Sequence, residues 1–362
     1  MMHHSAAYQA ALEEILYSHD NTRPDVYLNG EKTKGLEAIP PEIRDLRGLK
    51  SVFIENTAIT DISVLADLPD LRQVWIEETP VADITPLAGL TQIDDLILRA
   101  THVRDISCLA GLELLRFLSL DGSPVARIDP LVGLPNLRSM SLRRTAIQDF
   151  EPLSRMTDLM GLSLNGTAIT SLDHLAPLAN LGGLGISDTG VTDLSPIAPL
   201  TEISSLNITK TAITDLSPIS DMRRMFSIDA DDSEVSDISA LSGFDQLSSL
   251  YLRGTPLTDL SPLSRLHRLN YLFLGRSQVA DLSPLTKRNK GLCQLELDGS
   301  QVADLTPLLG MPRLMTAPEY GGLTFSDTVA ARDDPQIARI ASIEKPKARA
   351  KALYAYLESL PA

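Results

Sequence analysis

Residues 247–268 read LSSLYLRGTPLTDLSPLSRLHR, one of twelve consecutive copies of a 22-residue pattern between Leu49 and about Arg313. The pattern is Leu-x-x-Leu-x-Leu-x-x-Thr-x-Ile-x-Asp-Leu-Ser-Pro-Leu-x-x-Leu-x-x, and every step between copies is 22 residues except the last, which is 23. A fixed period of this length indicates a stack of repeats, in which each repeat buries its apolar face against its neighbours. The copies begin at Leu49, Leu71, Ile93, Leu115, Leu137, Leu159, Leu181, Ile203, Met225, Leu247, Leu269 and Leu292.

Seven positions in each copy are apolar. Of the 84 such positions in the twelve copies, 83 carry an apolar residue, and the exception is Arg288 in the one-residue insertion. The Leu-x-Leu alternation predicts a short strand with alternate side chains turned inward. The Ser-Pro-Leu-x-x-Leu segment predicts a tight 3₁₀ turn, with Ser or Thr as its N-cap and Pro at its first helical position.

The pattern resembles the leucine-rich repeat, specifically the 22-residue bacterial type found in internalins, which is similar to the eukaryotic phosphatase-regulator type. The resemblance covers roughly residues 26–328. It implies an α/β solenoid, a curved right-handed coil with a parallel sheet on its concave side, short 3₁₀ segments on its convex side and helical caps at its ends.

The chain departs from the family at the position after the strand, where Asn is usual and this chain has Thr or Ser in all twelve copies. We interpret the column as a structural ladder, because these residues fall at the inward-turning corner. A regular hydroxyl array that binds ice or a lattice is the alternative. The column consists of Thr57, Thr79, Thr101, Ser123, Thr145, Thr167, Thr189, Thr211, Ser233, Thr255, Ser277 and Ser300.

A column of aspartates recurs two residues after the Ile or Val of the pattern. An Asp side chain that bonds forward to its own backbone explains this position. Stacked carboxylates could also collect Ca²⁺, but that ion needs about six to eight oxygens around one point. The column consists of Asp61, Asp83, Asp105, Asp149, Asp193, Asp215, Asp237, Asp259, Asp281 and Asp304.

The ends of the chain depart from the repeat. We expect residues 1–48 to form an N-terminal cap helix and an irregular first repeat, residues 49–313 the twelve repeats, and residues 314–362 a terminal strand and a C-terminal helical cap. The cap helix is predicted over residues 5–18, and Val26–Leu28 is predicted as an irregular first strand.

At the other end, residues 320–328 predict a last strand, and helices are predicted to start around Pro335 and at Pro346. Caps cover the apolar faces and strand edges that the ends of a solenoid would otherwise expose. A docking role for the C-terminal helices is the alternative. The basic run at residues 287–290 is expected to be a solvated loop on the convex side.

Composition restricts the possible functions. The formal net charge of −15 argues against nucleic-acid binding, which requires a basic surface. No apolar run reaches membrane-spanning or signal-peptide length, and Cys108 and Cys293 lie too many repeats apart for a disulfide. We therefore expect a bacterial cytoplasmic monomer, with export by a signal-less secretion system left open.

The sequence shows no catalytic constellation. It has no Gly-rich phosphate loop or nucleophile elbow, and its six histidines are scattered without the spacing of metal ligands. We therefore expect a protein that is not an enzyme and has no catalytic residues, metal or cofactor.

The strand residues that flank the inward leucines are the least constrained by folding, and they are expected to face the concave side. Aromatic and aliphatic residues cluster there near both ends of the array, with arginines beside them, as in binding hot spots. The alternative is a solvated face whose aromatic rings pack on each other. The residues predicted to bind a partner are Phe53, Trp75, Ile97, Arg99, Phe117, Arg143, Tyr251, Arg253, Tyr271 and Phe273.

The predicted function is a non-catalytic protein–protein recognition module that binds its partner on the concave face. One alternative is a carbohydrate-binding protein with Phe53, Trp75, Tyr251 and Phe273 as stacking platforms. Another is a regulatory subunit of a phosphatase or kinase, which rests on analogy with the similar eukaryotic repeats alone.

Overall fold

The computed structural model describes residues 5–20, 22–286, 291–316 and 322–360. The chain forms two compact units, Met1–Ile169 and Thr170–Ala362. The predicted solenoid is confirmed, since each unit is a stack of short parallel strands joined by 3₁₀ turns, with a helix at the start of the first unit and helices towards the end of the second.

The first unit begins with helix α1 (Ala6–Asp20), two residues longer than the predicted 5–18 at its C-terminal end. In the described part of this unit, seven parallel strands follow in chain order, and all but the first are preceded by a 3₁₀ turn. The strands are β1 (Asp25–Leu28), β2 (Ser51–Glu55), β3 (Gln73–Glu77), β4 (Asp95–Ile97), β5 (Phe117–Ser119), β6 (Ser139–Ser141) and β7 (Gly161–Ser163). The 3₁₀ turns are Pro41–Asp45, Ser63–Asp67, Thr85–Leu87, Ser107–Gly111, Asp129–Leu131 and Glu151–Arg155.

Among the residues that the structure describes, the second unit also holds seven parallel strands. They are β8 (Gly183–Gly185), β9 (Ser205–Asn207), β10 (Ser227–Asp229), β11 (Ser249–Tyr251), β12 (Tyr271–Phe273), β13 (Gln294–Glu296) and β14 (Gly322–Thr324). The 3₁₀ turns are Asp173–Leu175, Ser195–Ile197, Ser217–Ile219, Ser239–Gly243, Ser261–Arg265, Ser283–Thr286 and Thr306–Gly310.

Four helices complete the described part of the second unit: α2 (Arg313–Thr316), α3 (Val329–Asp333), α4 (Pro335–Ala341) and α5 (Pro346–Ser359). The predicted helices at Pro335 and Pro346 are α4 and α5, while α2 and α3 were not predicted. Helix α5 packs against β14, α2 and α4. The predicted last strand is β14, whereas Tyr320 and the basic run at residues 287–290 lie outside the described residues.

The strands pair in a register of one repeat, so equivalent residues of neighbouring copies lie side by side. In the first unit, Val52 lies opposite Val74 and Phe53 opposite Trp75. Val74 and its equivalent in the second unit, Leu250, have no exposed surface. The predicted inward phase of the strands is therefore confirmed, and each fully buried aliphatic side chain contributes roughly 2 kcal/mol of hydrophobic free energy.

The aspartate column closes the turn after each strand. Asp215 Oδ1 accepts a hydrogen bond from the Ser217 N–H at 2.7 Å, and the same bond forms in all ten predicted positions. The prediction of forward bonding to the backbone is confirmed. An ionised acceptor makes this a stronger bond than one between neutral groups.

The predicted N-cap was wrong. The 3₁₀ turn at Ser63–Asp67 has Ile62 as its N-cap, so Ser63 is the first turn residue and its side chain does not cap. In the copies that have Pro after this Ser or Thr, the Pro is therefore the second residue of the 3₁₀ turn. The Asp carboxylate supplies the capping acceptor instead, and the Ser217 hydroxyl donates to Asp215 Oδ2 at 2.8 Å.

The Thr/Ser column is buried except at Thr189, which is half-buried. Most of its hydroxyls donate to the carbonyl three residues earlier, as Thr145 does to Leu142 at 2.8 Å. Within the described residues, the buried hydroxyls of Thr79 and Ser300 have no hydrogen-bond partner. This geometry confirms the structural ladder, because a buried hydroxyl cannot contact an external lattice.

A left-handed backbone conformation recurs at the eighth position of every copy. It is occupied by Gly in only four copies, such as Gly122 with φ +70°, and by another residue in eight, such as Ala100 with φ 51°. The Ala100 N–H donates to the Asp121 carbonyl of the next copy at 2.7 Å, so the conformation extends the ladder between copies. A side chain in this region costs about 1 kcal/mol relative to Gly.

We predict that Ala100→Gly raises the free energy of unfolding by about 1 kcal/mol, because relief of the left-handed strain exceeds the entropy that Gly adds to the unfolded chain. The matched variant is Gly122→Ala, whose new Cβ would come no closer than 3.7 Å to any atom and would therefore test the backbone alone. It should lower the same free energy by a similar amount. Urea unfolding measures both, and the same sign of change in the two variants would contradict the interpretation.

We predict that the aspartate turns make stability fall in acid. Hydrogen bonds from the Thr85 and Ser107 groups lower the pKa of Asp83 and Asp105. A folded pKa below the unfolded one gives stability that is present above the unfolded pKa and lost as pH falls through the folded one. Asn keeps the Oδ1 acceptor but does not titrate.

The double variant Asp83→Asn/Asp105→Asn should therefore lose less stability than wild type between about pH 5 and about pH 2. Urea midpoints at a series of pH values measure this. As a control, Asp83→Ala/Asp105→Ala removes the acceptor and should be destabilised already at neutral pH. Identical pH profiles for the Asn variant and wild type would rule out this origin of the acid sensitivity.

Candidate functional site

Three aromatic side chains form a continuous row on the exposed face of the first unit. Tyr27, Phe53 and Trp75 come from β1, β2 and β3, and the strand register places them side by side. The rings of Tyr27 and Phe53 stack with centroids 4.6 Å apart at 6°, and Phe53 meets Trp75 edge-on at 4.9 Å and 86°. We call these three residues the aromatic run, and Ile97 on β4 continues it.

The aromatic run extends beyond the predicted site towards helix α1. The Arg23 guanidinium lies 5.7 Å from the Tyr27 ring centroid and 5.5 Å from that of Tyr17, whose residue is 55% exposed. None of Tyr27, Tyr17 and Arg23 was among the site residues predicted from the sequence. The alternation Val26-Tyr27-Leu28 did carry a signal, because it places Tyr27 in the same column as Phe53. Nothing in the repeat pattern points to Tyr17 or Arg23.

Carboxylates line both sides of the aromatic run. Asp25 lies two residues before Tyr27, and Asp95 lies two residues before Ile97. Glu55 and Glu77 lie two residues after Phe53 and Trp75. Alternate residues of a strand share a face, so all four carboxylates lie on the face of the aromatic run. We call these four residues the carboxylate rim. Arg99 Nη2 pairs with Glu77 Oε2 at 2.6 Å. Burial raises the pKa of Glu77, and the Arg99 charge opposes the rise.

Trp75 and Asp95 form a polar contact that is incompletely satisfied. The Trp75 Nε1 and Asp95 Oδ1 atoms are both buried, and neither has a hydrogen bond of good geometry among the described residues. Burial raises the pKa of the Asp95 carboxyl, the nearby indole N–H lowers it, and the Asp94 charge raises it further. Asp95 therefore carries a charge that the chain itself compensates poorly.

The remaining predicted residues of the first unit lie outside the aromatic run. Phe117 is half-buried on β5 in the neighbouring column, opposite Asp95. Arg143 is exposed, its Nε donates to Ser163 Oγ at 2.9 Å, and it lies 4.0 Å from Asp121. Phe53, Trp75 and Ile97 are thus brought together, while Phe117 and Arg143 are placed at the periphery.

The predicted aromatic residues of the second unit form a compact pair. Tyr251 and Phe273 stack with centroids 4.5 Å apart at 4°. Tyr271 lies in the neighbouring column and is 38% exposed, whereas Phe273 is only 6% exposed. The Phe273 ring is covered by the Arg253 guanidinium, whose central carbon lies 4.3 Å from the ring centroid.

Arg253 is held within the chain by two carboxylates. Its Nε and Nη2 donate to the two oxygens of Glu296 at 2.7 and 2.8 Å, and its Nη1 donates to Asp231 Oδ2 at 2.7 Å. These bonds raise the pKa of Arg253, while burial raises that of Asp231 against the lowering effect of the arginine. We call Arg253, Asp231 and Glu296 the arginine clamp.

No protein-family model matches the sequence, and no curated protein does either. Solved structures do match over most of the chain. The internalin InlF of Listeria monocytogenes aligns with a TM-score of 0.71 and 24% identity over 90% of this chain and 92% of its own. The chain has the leucine-rich repeat fold of the internalin type.

Two further leucine-rich repeat structures are similar in fold. A Leptospira interrogans leucine-rich repeat protein aligns with a TM-score of 0.57 and 15% identity over 86% of this chain and 92% of its own. The plant peptide hormone receptor RGFR1, solved in complex with RGF2, aligns with a TM-score of 0.58 and 15% identity over 80% of this chain and 57% of its own.

Within the described ranges, no group of three or more His, Cys, Asp or Glu is arranged to hold a metal ion, and no helix has the length and apolar character to cross a membrane. Both cysteines are free. Burial raises the pKa of Cys108 to about 11, so its thiol is protonated at neutral pH and is a poor nucleophile.

We predict that Arg253→Gln destabilises the second unit by about 2 kcal/mol or more, because it leaves Asp231 and Glu296 as half-buried charges without a partner. The matched control is Arg143→Gln, which removes an exposed arginine and should change the free energy of unfolding by less than about 0.5 kcal/mol. Chemical unfolding measures both. Equal effects would show that the clamp is not a structural element.

Proposed function

We propose that this leucine-rich repeat is a non-catalytic module that binds a protein partner on the exposed face of its strands. The observation that carries the proposal is the aromatic run, in which consecutive strands expose large rings although folding requires only the opposite face to be apolar. Half-exposed aromatic residues on a rigid sheet are typical of binding hot spots.

The proposed contact residues differ in their roles. Phe53, Trp75 and Ile97 supply the apolar centre in the first unit, with Arg99 and Phe117 beside them. Arg143 is proposed as a peripheral contact. In the second unit, Tyr271 supplies an exposed ring and Tyr251 a half-buried one, while Phe273 stacks on Tyr251 and is covered by Arg253. The plant receptor that was solved with RGF2 has a related fold, which makes a peptide or protein ligand a reasonable class to test.

The ring geometry favours a protein partner over a carbohydrate. Sugars stack on open ring faces, but Tyr27 and Phe53 turn their faces towards each other, as do Tyr251 and Phe273. One face of each of these four rings is therefore covered by its neighbour, and Arg253 also lies over Phe273, which leaves little open ring surface for sugar stacking. The regulatory-subunit alternative has no comparable observation in its favour.

The remaining proposals concern context. We propose a monomeric bacterial protein that acts in a reducing cytoplasm, which the two free cysteines support. Residues 49–313 are proposed as the repeat array, with residues 1–48 and 314–362 as caps. The packing of α1 on β1 and of α5 on β14 supports this division.

We predict that Trp75→Ala and Tyr271→Ala each weaken capture of the native partner by about 2 kcal/mol or more and leave the fold intact. The bait is the whole chain, and the partner is identified by affinity purification from the native cell and mass spectrometry. Circular dichroism and thermal unfolding check the fold. Phe226→Ala is the matched control, because Phe226 is 56% exposed but precedes β10 and lies outside the proposed contact columns.

Wild-type capture by both variants would refute the binding face. A glycan that shifts the fluorescence of Trp75, with no loss of protein capture in the variants, would instead favour the carbohydrate alternative.

A further inference from the structure

The arginine clamp shows a complete cation site built on this fold. The Arg253 guanidinium lies over the Phe273 ring at 4.3 Å and near the Tyr251 ring at 5.8 Å, and two carboxylates fix it in place. The negative face of an aromatic ring attracts a cation, and flanking carboxylates strengthen and orient that attraction. In the second unit, the chain fills this site with its own arginine.

The first unit contains the same components without the central cation. The aromatic run supplies three rings, and the carboxylate rim supplies Asp25, Glu55, Glu77 and Asp95. In the part of the chain that the structure describes, only Glu77 of the rim has an ion-pair partner, which is Arg99. The rim therefore holds more negative charge than the chain neutralises locally.

A guanidinium already occupies one end of the aromatic run. Arg23 lies over Tyr27 and Tyr17, and it also pairs with Glu14 at 3.6 Å. No cation from the described ranges lies over Phe53 or Trp75. These two rings are half-buried rather than covered, so a ligand can reach them.

We propose that the aromatic run and the carboxylate rim bind an extended segment of a protein partner that carries lysine or arginine. A cationic side chain would lie against Trp75 and Phe53 and pair with Asp95 and Glu55. The inference rests on the proposed function and adds the chemical class of the partner.

Size and charge are compatible with this ligand. Strands about 4.8 Å apart give β1–β4 a width of about 14 Å, which matches four or five extended residues at about 3.4 Å each. The net charge of −15 attracts a basic segment from a distance and repels an acidic one. Burial raises the pKa of Asp95, and a bound cation would supply the positive charge that this carboxylate lacks.

The test uses the full chain and three acetylated and amidated seven-residue peptides, in which glycine alternates with lysine, with Nε-acetyl-lysine or with glutamate. Trp75 is the only Trp in the chain, so its fluorescence reports binding at the site directly. We expect the lysine peptide alone to shift the emission. Its affinity should fall at least about fivefold when salt rises from about 50 mM to about 300 mM, because salt screens exposed charges.

Charge-neutral variants locate the site. Asp95→Asn and Glu55→Gln should each weaken the lysine peptide by about threefold, as expected for the loss of one partly exposed ion pair. Glu113→Gln is the matched control, since it removes a carboxylate of the same unit that is exposed and outside the strands, and it should leave the affinity unchanged.

Three results would overturn the inference: no response to the lysine peptide, equal responses to all three peptides, or equal weakening by Glu113→Gln and Asp95→Asn. Capture of the native partner by Trp75→Ala separates this failure from failure of the proposed function. If the peptides fail while Trp75→Ala still loses the partner, the face binds protein of another chemistry. If Trp75→Ala and Tyr271→Ala both retain the partner, the proposed binding face is wrong as well.

Discussion

No copy of the repeat can bury its own leucines, and this constraint underlies the rest of the molecule. A copy contains one short strand and one 3₁₀ turn, which together form a single apolar edge. That edge is buried from water only when the preceding and following copies pack equivalent edges against it in register. Val52 opposite Val74 and Leu250 opposite Leu272 are instances of the same contact, repeated through each unit. The near-invariance of the apolar positions follows from this dependence, because a polar residue in one copy exposes its two neighbours.

Stacking also creates a polar problem, which the two polar columns solve. Each copy must turn its backbone twice within 22 residues, and the turns leave N–H and carbonyl groups without strand partners. In ten copies an aspartate accepts from the N–H at the start of the 3₁₀ turn, and in most copies a Thr or Ser hydroxyl donates to a carbonyl at the end of the strand. Packing fixes the residue types of the interior, and these hydrogen bonds fix those of the corners. The exposed strand positions are therefore the main place where side chains can vary freely.

Those roles explain why some features could be predicted from the sequence and others could not. The strands, their inward phase and the aspartate bonds depend on residues within one copy or between adjacent copies, so the periodic pattern revealed them. The N-cap was misassigned because Ser is a common cap, and the pattern alone does not show that an ionised Asp two residues earlier takes that role. Tyr27 was overlooked because its copy is irregular, although its alternation was readable. The burial of Phe273 could not be foreseen, because it depends on Arg253 reaching Glu296, 43 residues away in sequence.

The reach of the arginine clamp has a consequence for how this array could change in length. Arrays of this kind gain or lose copies when homologous segments of a gene misalign, and contacts confined to adjacent copies survive such events. Arg253 bonds to Asp231 in the preceding copy and to Glu296 two copies onward, and Arg276 reaches Asp232 two copies back. Removal or duplication of a copy between residues 231 and 296 would shift one end of these contacts by 22 residues. Loss or gain of a copy in this segment would therefore break contacts beyond the immediate neighbours, whereas a copy joined only to its neighbours carries no such constraint.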